Sequence, residues 1–281
     1  MAVTGYIIEK YNNMASSYTC HRLVDEGHSA GMQMRIVGVQ DCYLVGDQVY
    51  NHGEALPPVD FVINRYKWGH VKDVLNALAG RSYNGKEAFN LYVNKYEQIT
   101  RLNSDVFFKP KYVLGFSDTP FNELKNELGL PFVAKGLESS MGREIFLIED
   151  EKDWHQLEGN PAKEWLFEEF ITSSFGRDLR LFSVRGQAVA CMMRQSQNDF
   201  RANVALGSKV VPVAIDPNLR QIADDIWQQT HLDFVGIDLL FGKERYCFCE
   251  INVMPGLEGI ETASGKNIAG MIVETISNDL S

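Results

Sequence analysis

Between Phe234 and Glu261, two apolar runs, 234–241 and 246–253, flank the turn-forming Gly242-Lys243-Glu244-Arg245. This stretch limits the possible folds more than any other, and it predicts a β-hairpin. Pairing Phe241 with Tyr246 sets Asp238 opposite Cys249, within one residue of Glu250. Glu250 and Asn252 lie two apart, so their side chains share a face of the strand. Three oxygen-bearing side chains thus converge inside apolar strands, where uncompensated carboxylates repel each other and are costly to desolvate. A hard divalent cation removes that conflict. Mg²⁺ suits this donor set of few carboxylates and an amide oxygen, with positions left for water and phosphate. Taken alone, the pattern also fits two surface acids on an ordinary hairpin, so the rest of the chain has to decide.

A chain of 281 residues holds one large core or two to three small lobes, and its 45% apolar and 23% charged content is that of a globular protein. The formal charge of −10, with no dense basic run, argues against a nucleic-acid partner but not against a small anionic ligand. The five cysteines (20, 42, 191, 247, 249) form no Cys-x-x-Cys pair. Cys247 and Cys249 are therefore read as buried free thiols rather than metal ligands. No signal segment and no membrane-spanning apolar run is visible in the sequence, so the expected location is the cytoplasm, without a membrane partner.

In chain order, residues 1–80 alternate strand and helix: Gly5–Ile8, a helix from Ser16 to about Gly31 capped by Ser16 or Ser17, Met34–Val39, Phe61–Asn64, and a helix from Trp68 to Ala79 closed by Gly80. The alternation predicts a parallel sheet, and the absence of Gly-x-Gly-x-x-Gly argues against a dinucleotide site. A helix from Gly85 to about Leu102 carries Lys95, a position that is as a rule a solvated face. Strands at Lys111–Gly115 and Phe132–Lys135 enclose a helix ending at Leu128, and a further strand spans Ile145–Ile148. Lys135 precedes a run of small residues, Ser139-Ser140-Met141-Gly142, whose backbone N–H groups can point at one anion, although a plain hairpin turn reads the same way. Trp165–Ile171 is a strand bearing Glu168 and Glu169; Gly176–Val184 and Ala188–Arg194 form a hairpin with Asp178 and Arg180 on one face. Asp199–Asn203 repeats that alternation with Arg201 and Asn203, and such charge ladders are common on sheet surfaces. An amphipathic helix from Asp216 to about Leu232 precedes the acidic hairpin, and a glycine-rich loop from Gly256 leads to a terminal helix from about Asn267.

Taken together, Asp178-Leu-Arg180, Asp199-Phe-Arg201-Ala-Asn203, Gly236-Ile-Asp238 and Glu250-Ile-Asn252 running into Pro255-Gly-Leu-Glu-Gly-Ile-Glu261 resemble the ATP-grasp carboxylate–amine ligases, most of all the RimK-like α-L-glutamate ligases, over roughly 60–275. The resemblance implies an α/β (α+β) ATP-grasp fold: an amino-terminal α/β domain (1–84), a central lobe (85–172) and a carboxy-terminal lobe (173–281), with ATP clamped between the last two. It implies that Lys95 and Lys135 are the nucleotide lysines and that Ser139, Ser140 and Gly142 belong to the loop over the phosphates. It likewise implies that Glu168, Glu169, Phe170 and Ile171 form the adenine-binding hinge, that Asp178 is the ribose-binding acid, and that Arg194 belongs to the same nucleotide set. By the same resemblance Asp238, Glu250 and Asn252 match the ligands of Mg²⁺ or Mn²⁺, two ions in all, while Arg201 and Asn203 match positions near the phosphates and the acyl group. Two departures stand out. The Gly-x-Pro-x-Pro-x-Thr segment is missing before the central lobe, and Val204-Ala-Leu-Gly207 replaces His-x-Gly-Gly.

The implied chemistry is ATP-dependent amide formation. A carboxylate attacks the γ-phosphorus to give an acyl phosphate, and an amine then displaces phosphate. Alignment and charge neutralisation suffice for the first step. The partners implied are an amino acid or a peptide or protein carboxylate, and an amine co-substrate; the family also forms homo-oligomers. Two alternatives stay open: a graspetide-type ligase making side-chain amides or esters in a ribosomal peptide, and a non-catalytic ATP-binding regulator. Arg65 and Arg81 can hold a substrate carboxylate, but equally read as surface arginines.

Overall fold

The computed structural model describes residues 2–12, 17–139, 143–157, 162–196, 199–202 and 207–281. The chain opens with β1 (Thr4–Glu9), α1 (Tyr18–Ser29) and β2 (Gln33–Gly38); Ser17 caps α1 by accepting from the Cys20 N–H. A small antiparallel sheet that the sequence did not announce follows, built of β3 (Cys42–Val45), β4 (Gln48–Asn51) and β5 (Glu54–Ala55). Next come β6 (Val59–Asn64), α2 (His70–Ala77) and β7 (Ala79–Tyr83). The order β2-β1-β6-β7 is parallel throughout, as the alternation predicts. Gly5 is required here: a Cβ on it would stand 2.3 Å from Cζ of Phe61 in the neighbouring strand. Gly80 is not a helix stop but part of β7, whose pairing with β6 overrides a sequence poor in β-formers.

The single helix expected over 85–102 is two, α3 (Lys86–Tyr92) and α4 (Lys95–Arg101). Asn94 separates them, because its side chain accepts from the N–H groups of Tyr96 and Glu97 and so starts a new helix. Both helices, with the two-residue β8 (Phe107–Phe108), bury Phe89, Tyr92, Leu102 and Phe107 in the core of the carboxy-terminal sheet. Then follow β9 (Tyr112–Phe116), α5 (Phe121–Leu128), β10 (Phe132–Gly136), β11 (Ile145–Ile148), the short α6 (Glu151–Trp154) and β12 (Glu164–Glu169). These strands form an antiparallel sheet, β11-β10-β12-β9, over a core that includes Phe132, Trp154 and Phe167.

The last third holds β13 (Arg177–Val184), β14 (Gln187–Gln195), β15 (Lys209–Pro212), α7 (Pro217–Thr230), β16 (Phe234–Phe241), β17 (Tyr246–Asn252), α8 (Glu258–Ser264) and α9 (Ile268–Leu280). The sheet order is β15-β14-β13-β16-β17-β8. The expected strand at Asp199–Asn203 is absent among the described residues: Asp199 Oδ1 accepts from the Arg201 N–H at 2.8 Å, a local bond that competes with strand pairing. The glycine-rich segment after Gly256 winds into α8, which buries Ile260 and ends at Gly265. The amino-terminal sheet and the six-stranded sheet share one hydrophobic core, with Ile7, Leu23 and Phe61 beside Phe182, Phe234 and Ile272. That shared core fixes the parallel sheet against the six-stranded one.

Candidate active site

On β10, alternation turns Val133 and Lys135 to one face. Glu168 stands opposite Val133 on β12, diagonal to Lys135, and the long lysine stem closes that gap. Lys135 Nζ lies 2.6 Å from Glu168 Oε2, with only 6% and 3% of the two residues exposed. Burial works against the Lys135 ammonium, but the Glu168 carboxylate beside it opposes that loss, and its pKa is held above the usual value. Burial likewise pushes the Glu168 carboxyl up, against the pull of Lys135.

Across the six-stranded sheet, cross-strand pairing sets Arg194 opposite Asp178, Arg180 opposite Asp238, and Asp238 opposite Glu250. The last pairing corrects the register expected from the sequence. Phe241 does meet Tyr246, but a bulge follows Asp238, with Cys249 as the extra residue, and Glu250 rather than Cys249 faces Asp238. Arg180 grips Asp238 with both arms, at 2.7 and 2.6 Å. Arg194 grips Asp178 at 2.6 and 2.5 Å and reaches Asp238 at 2.9 Å. Lys95, from α4, lies 3.1 Å from Glu250. Three carboxylates are thus matched by three cations, which lets them share a buried wall. Burial opposes ionisation of Asp238, but Arg180 and Arg194 prevail and hold it below the usual carboxylate range. Burial prevails at Asp178 despite Arg194 and raises it to about 6. Asn252, opposite Gly236, accepts from the Met254 N–H at 2.9 Å through Oδ1.

The two walls meet at Lys135, whose Nζ lies 3.8 Å from Cys249 Sγ, and they border a cleft. Burial pushes the Cys249 thiol up to about 12, so it stays protonated at neutral pH, and Cys247 is a buried free thiol. Of the residues singled out from the sequence, Lys135, Glu168, Glu169, Phe170, Ile171, Asp178, Arg194, Arg201, Asp238 and Glu250 line this cleft. Phe170 makes edge-to-face contacts with Phe175 and Phe200, and Phe200 extends the lining. Arg201 is paired with Asp199 at 2.7 Å.

The remaining singled-out residues are placed differently. Lys95 reaches the cleft wall through Glu250 and also donates to the Ser139 carbonyl at 2.7 Å. The Ser139 hydroxyl turns back to the Gly136 carbonyl. Ser140, Gly142 and Asn203 lie outside the described residues. Arg65 bonds Glu9 and the Pro255 carbonyl, while Arg81 pairs with Asp279; neither is on the cleft. Arg180, read in the sequence as part of the Asp178-Leu-Arg180 motif but given no site role there, is the residue that grips Asp238. Nothing in the sequence marked the apolar lining residues Val133, Ile145 and Leu240.

Among the described residues no group of three or more His, Cys, Asp or Glu side chains forms a metal cluster. Asp238, Glu250 and Asn252 instead offer two carboxylates and an amide oxygen, a hard donor set that fits Mg²⁺. No described helix is long and apolar enough to cross a membrane.

Solved structures share this fold along the whole chain. The ATP-grasp ligase PsnB, determined with a phosphomimetic precursor variant, Mg and ADP, superimposes with a TM-score of 0.71 at 13% identity, covering 100% of both chains. The macrocyclase MdnC of Microcystis aeruginosa, bound with precursor peptide MdnA, superimposes with a TM-score of 0.73 at 16% identity, over 98% of this chain and 100% of that one. The fold is therefore that of the ATP-grasp ligases. Residues 99–276 match the RimK-like ATP-grasp domain. A "Probable alpha-L-glutamate ligase" of Psychromonas ingrahamii is 33% identical over 285 residues, covering 94% of this chain and 93% of that protein. The chain belongs to the RimK-like ATP-grasp family, and it is an ADP-forming ligase that makes carbon–nitrogen bonds.

Proposed function

We propose that the protein joins an amino acid, through its amine, to the carboxylate of a peptide, protein or carrier, using ATP by way of an acyl phosphate. The observation that carries this reading is Asp238, gripped by Arg180, facing Glu250 on a cleft wall that also presents Arg194 and, across the gap, Lys135. In this reading ATP occupies the cleft, with its base near Glu169, Phe170 and Ile171 and its phosphates toward Lys135 and Arg201. Mg²⁺ held by Asp238, Glu250 and Asn252 would neutralise phosphate charge as the γ-phosphoryl group moves. The planar forks of Arg180 and Arg194, which hold Asp238, are of the kind that suits phosphate or carboxylate oxygens. Lys135, at the meeting of the two walls, supplies a positive charge where negative charge builds up. The chain needs no covalent nucleophile for this, and the protonated Cys249 is not one. The glutamate ligase named among the relatives makes glutamate the first amine to test.

The test is ADP release from the full chain with Mg²⁺-ATP, screened over amino acids paired with peptide carboxylates, with product mass as the second readout. The proposal expects ADP formation that depends on both partners and a product heavier by one amino acid residue. ADP formed equally without any amine overturns it. A product that has instead lost water within one peptide would assign the chain to side-chain crosslinking.

A further inference from the structure

β17 carries Glu250 and Asn252, and its outer edge is only partly closed by a strand: β8 pairs with it at Tyr246 and Cys247. Farther along, side chains take the place of a strand. Gln98 of α4 donates through Nε2 to the Ile251 carbonyl at 3.0 Å and accepts at Oε1 from the Ile251 N–H at 2.8 Å. Its other Nε2 proton goes to the Tyr92 carbonyl at 2.7 Å, so both amide protons are used, and the residue is 3% exposed. Both backbone groups of Ile251 therefore point away from β16, as they would toward a neighbouring strand. Beyond Asn252, Asn84 donates to the Val253 carbonyl at 3.0 Å. Lys95 and Gln98 are three apart on α4 and face the same way, so the helix holds β17 at two points, the Glu250 carboxylate and the Ile251 backbone.

We infer that Gln98 is a positioning residue whose side-chain amide substitutes for a strand partner at Ile251, setting the flanking oxygen donors Glu250 and Asn252 for a divalent cation. The inference rests on the cation site proposed above. Residue choice is narrow. Asparagine is a methylene too short, glutamate can accept from Ile251 N–H but cannot donate to its carbonyl, and methionine fills the space with neither bond. Partners that orient ligands from behind are typically worth about 10- to 100-fold in metal affinity.

The experiment measures Mn²⁺ binding to the full chain in the presence of ADP, from the electron paramagnetic resonance signal of free Mn²⁺, together with the melting temperature of each variant. Gln98→Met should weaken Mn²⁺ binding about 10-fold or more. Thr230→Val removes a buried hydrogen bond to the Ile226 carbonyl on α7 and should lower the melting temperature with Mn²⁺ affinity unchanged. Wild-type affinity in Gln98→Met, or equal weakening in Thr230→Val, overturns the inference. Should Gln98→Met fail to fold, Gln98→Glu decides, since it keeps the acceptor and should bind Mn²⁺ more weakly than wild type; unchanged affinity there refutes the inference. Glu250→Gln separates the two levels of argument. Wild-type Mn²⁺ affinity in Glu250→Gln removes the cation site itself, whereas weakened affinity there beside an unaffected Gln98→Met removes only the role of Gln98.

Discussion

Replacing Lys135 by methionine leaves the Glu168 carboxylate, now 2.6 Å from the lysine nitrogen, buried with its cation gone. Breaking a buried pair from one side costs about 3–5 kcal/mol when the orphaned charge must stay. A carboxyl has a way out, because it can take up a proton. From an ordinary value of 4.5, holding the proton at pH 7 costs about 3.4 kcal/mol at about 1.36 kcal/mol per unit. Protonation therefore caps the loss near 3–4 kcal/mol at pH 7. The sign of the pH dependence follows directly. In the variant the folded pKa of Glu168 lies above the unfolded one, so between the two the folded state keeps a proton that the unfolded chain releases. Stability then rises as pH falls, and the penalty shrinks by up to about 1.4 kcal/mol per pH unit toward pH 4.5. Urea unfolding at pH 7 and pH 5.5 measures this. Adding Glu168→Gln to the variant should restore most of the loss, since the neutral amide has no charge to bury. A penalty that does not change with pH, or no rescue in the double variant, would refute the account of Lys135 and Glu168 as a charge pair buried at the cleft.

Three further outcomes are expected. Glu250→Gln should abolish amine-dependent ADP release with circular dichroism unchanged, and full activity would remove Glu250 from the cation site. Asp279, bonded to Arg185 and Tyr83, is lowered to about 2, chiefly by the Arg185 hydrogen bond, so its contribution is present above the ordinary carboxylate value of 3.8 and is lost as pH falls toward 2. Asp279→Asn should accordingly cost on the order of 1 kcal/mol at pH 7 and roughly half of that at pH 3, read from unfolding midpoints at both. Gly5→Ala should destabilise by about 1–3 kcal/mol in thermal melts, because its Cβ would meet the Phe61 ring at 2.3 Å in a packed core.

The sequence by itself determined which residues share a face. Alternation along each strand turned Asp178 with Arg180 and Glu250 with Asn252 to common sides. The apolar runs around Gly242–Arg245 defined the acidic hairpin, and its Phe241–Tyr246 closure holds. The strand–helix alternation of the first eighty residues likewise specified a parallel sheet. These are local properties, set by a backbone period that any stretch of sequence displays. Partners are not local. Only the tertiary structure decided that a bulge at Cys249 turns Glu250 onto Asp238, that Arg194 bridges two acids, and that Gln98, 153 residues away in the chain, closes the edge at Ile251. Each depends on sheet order and on which helix covers which edge, and a strand's own residues leave those choices open. The charges on this wall are tolerable only because strands distant in sequence bring their counter-ions to them, and that pairing exists only in the folded chain.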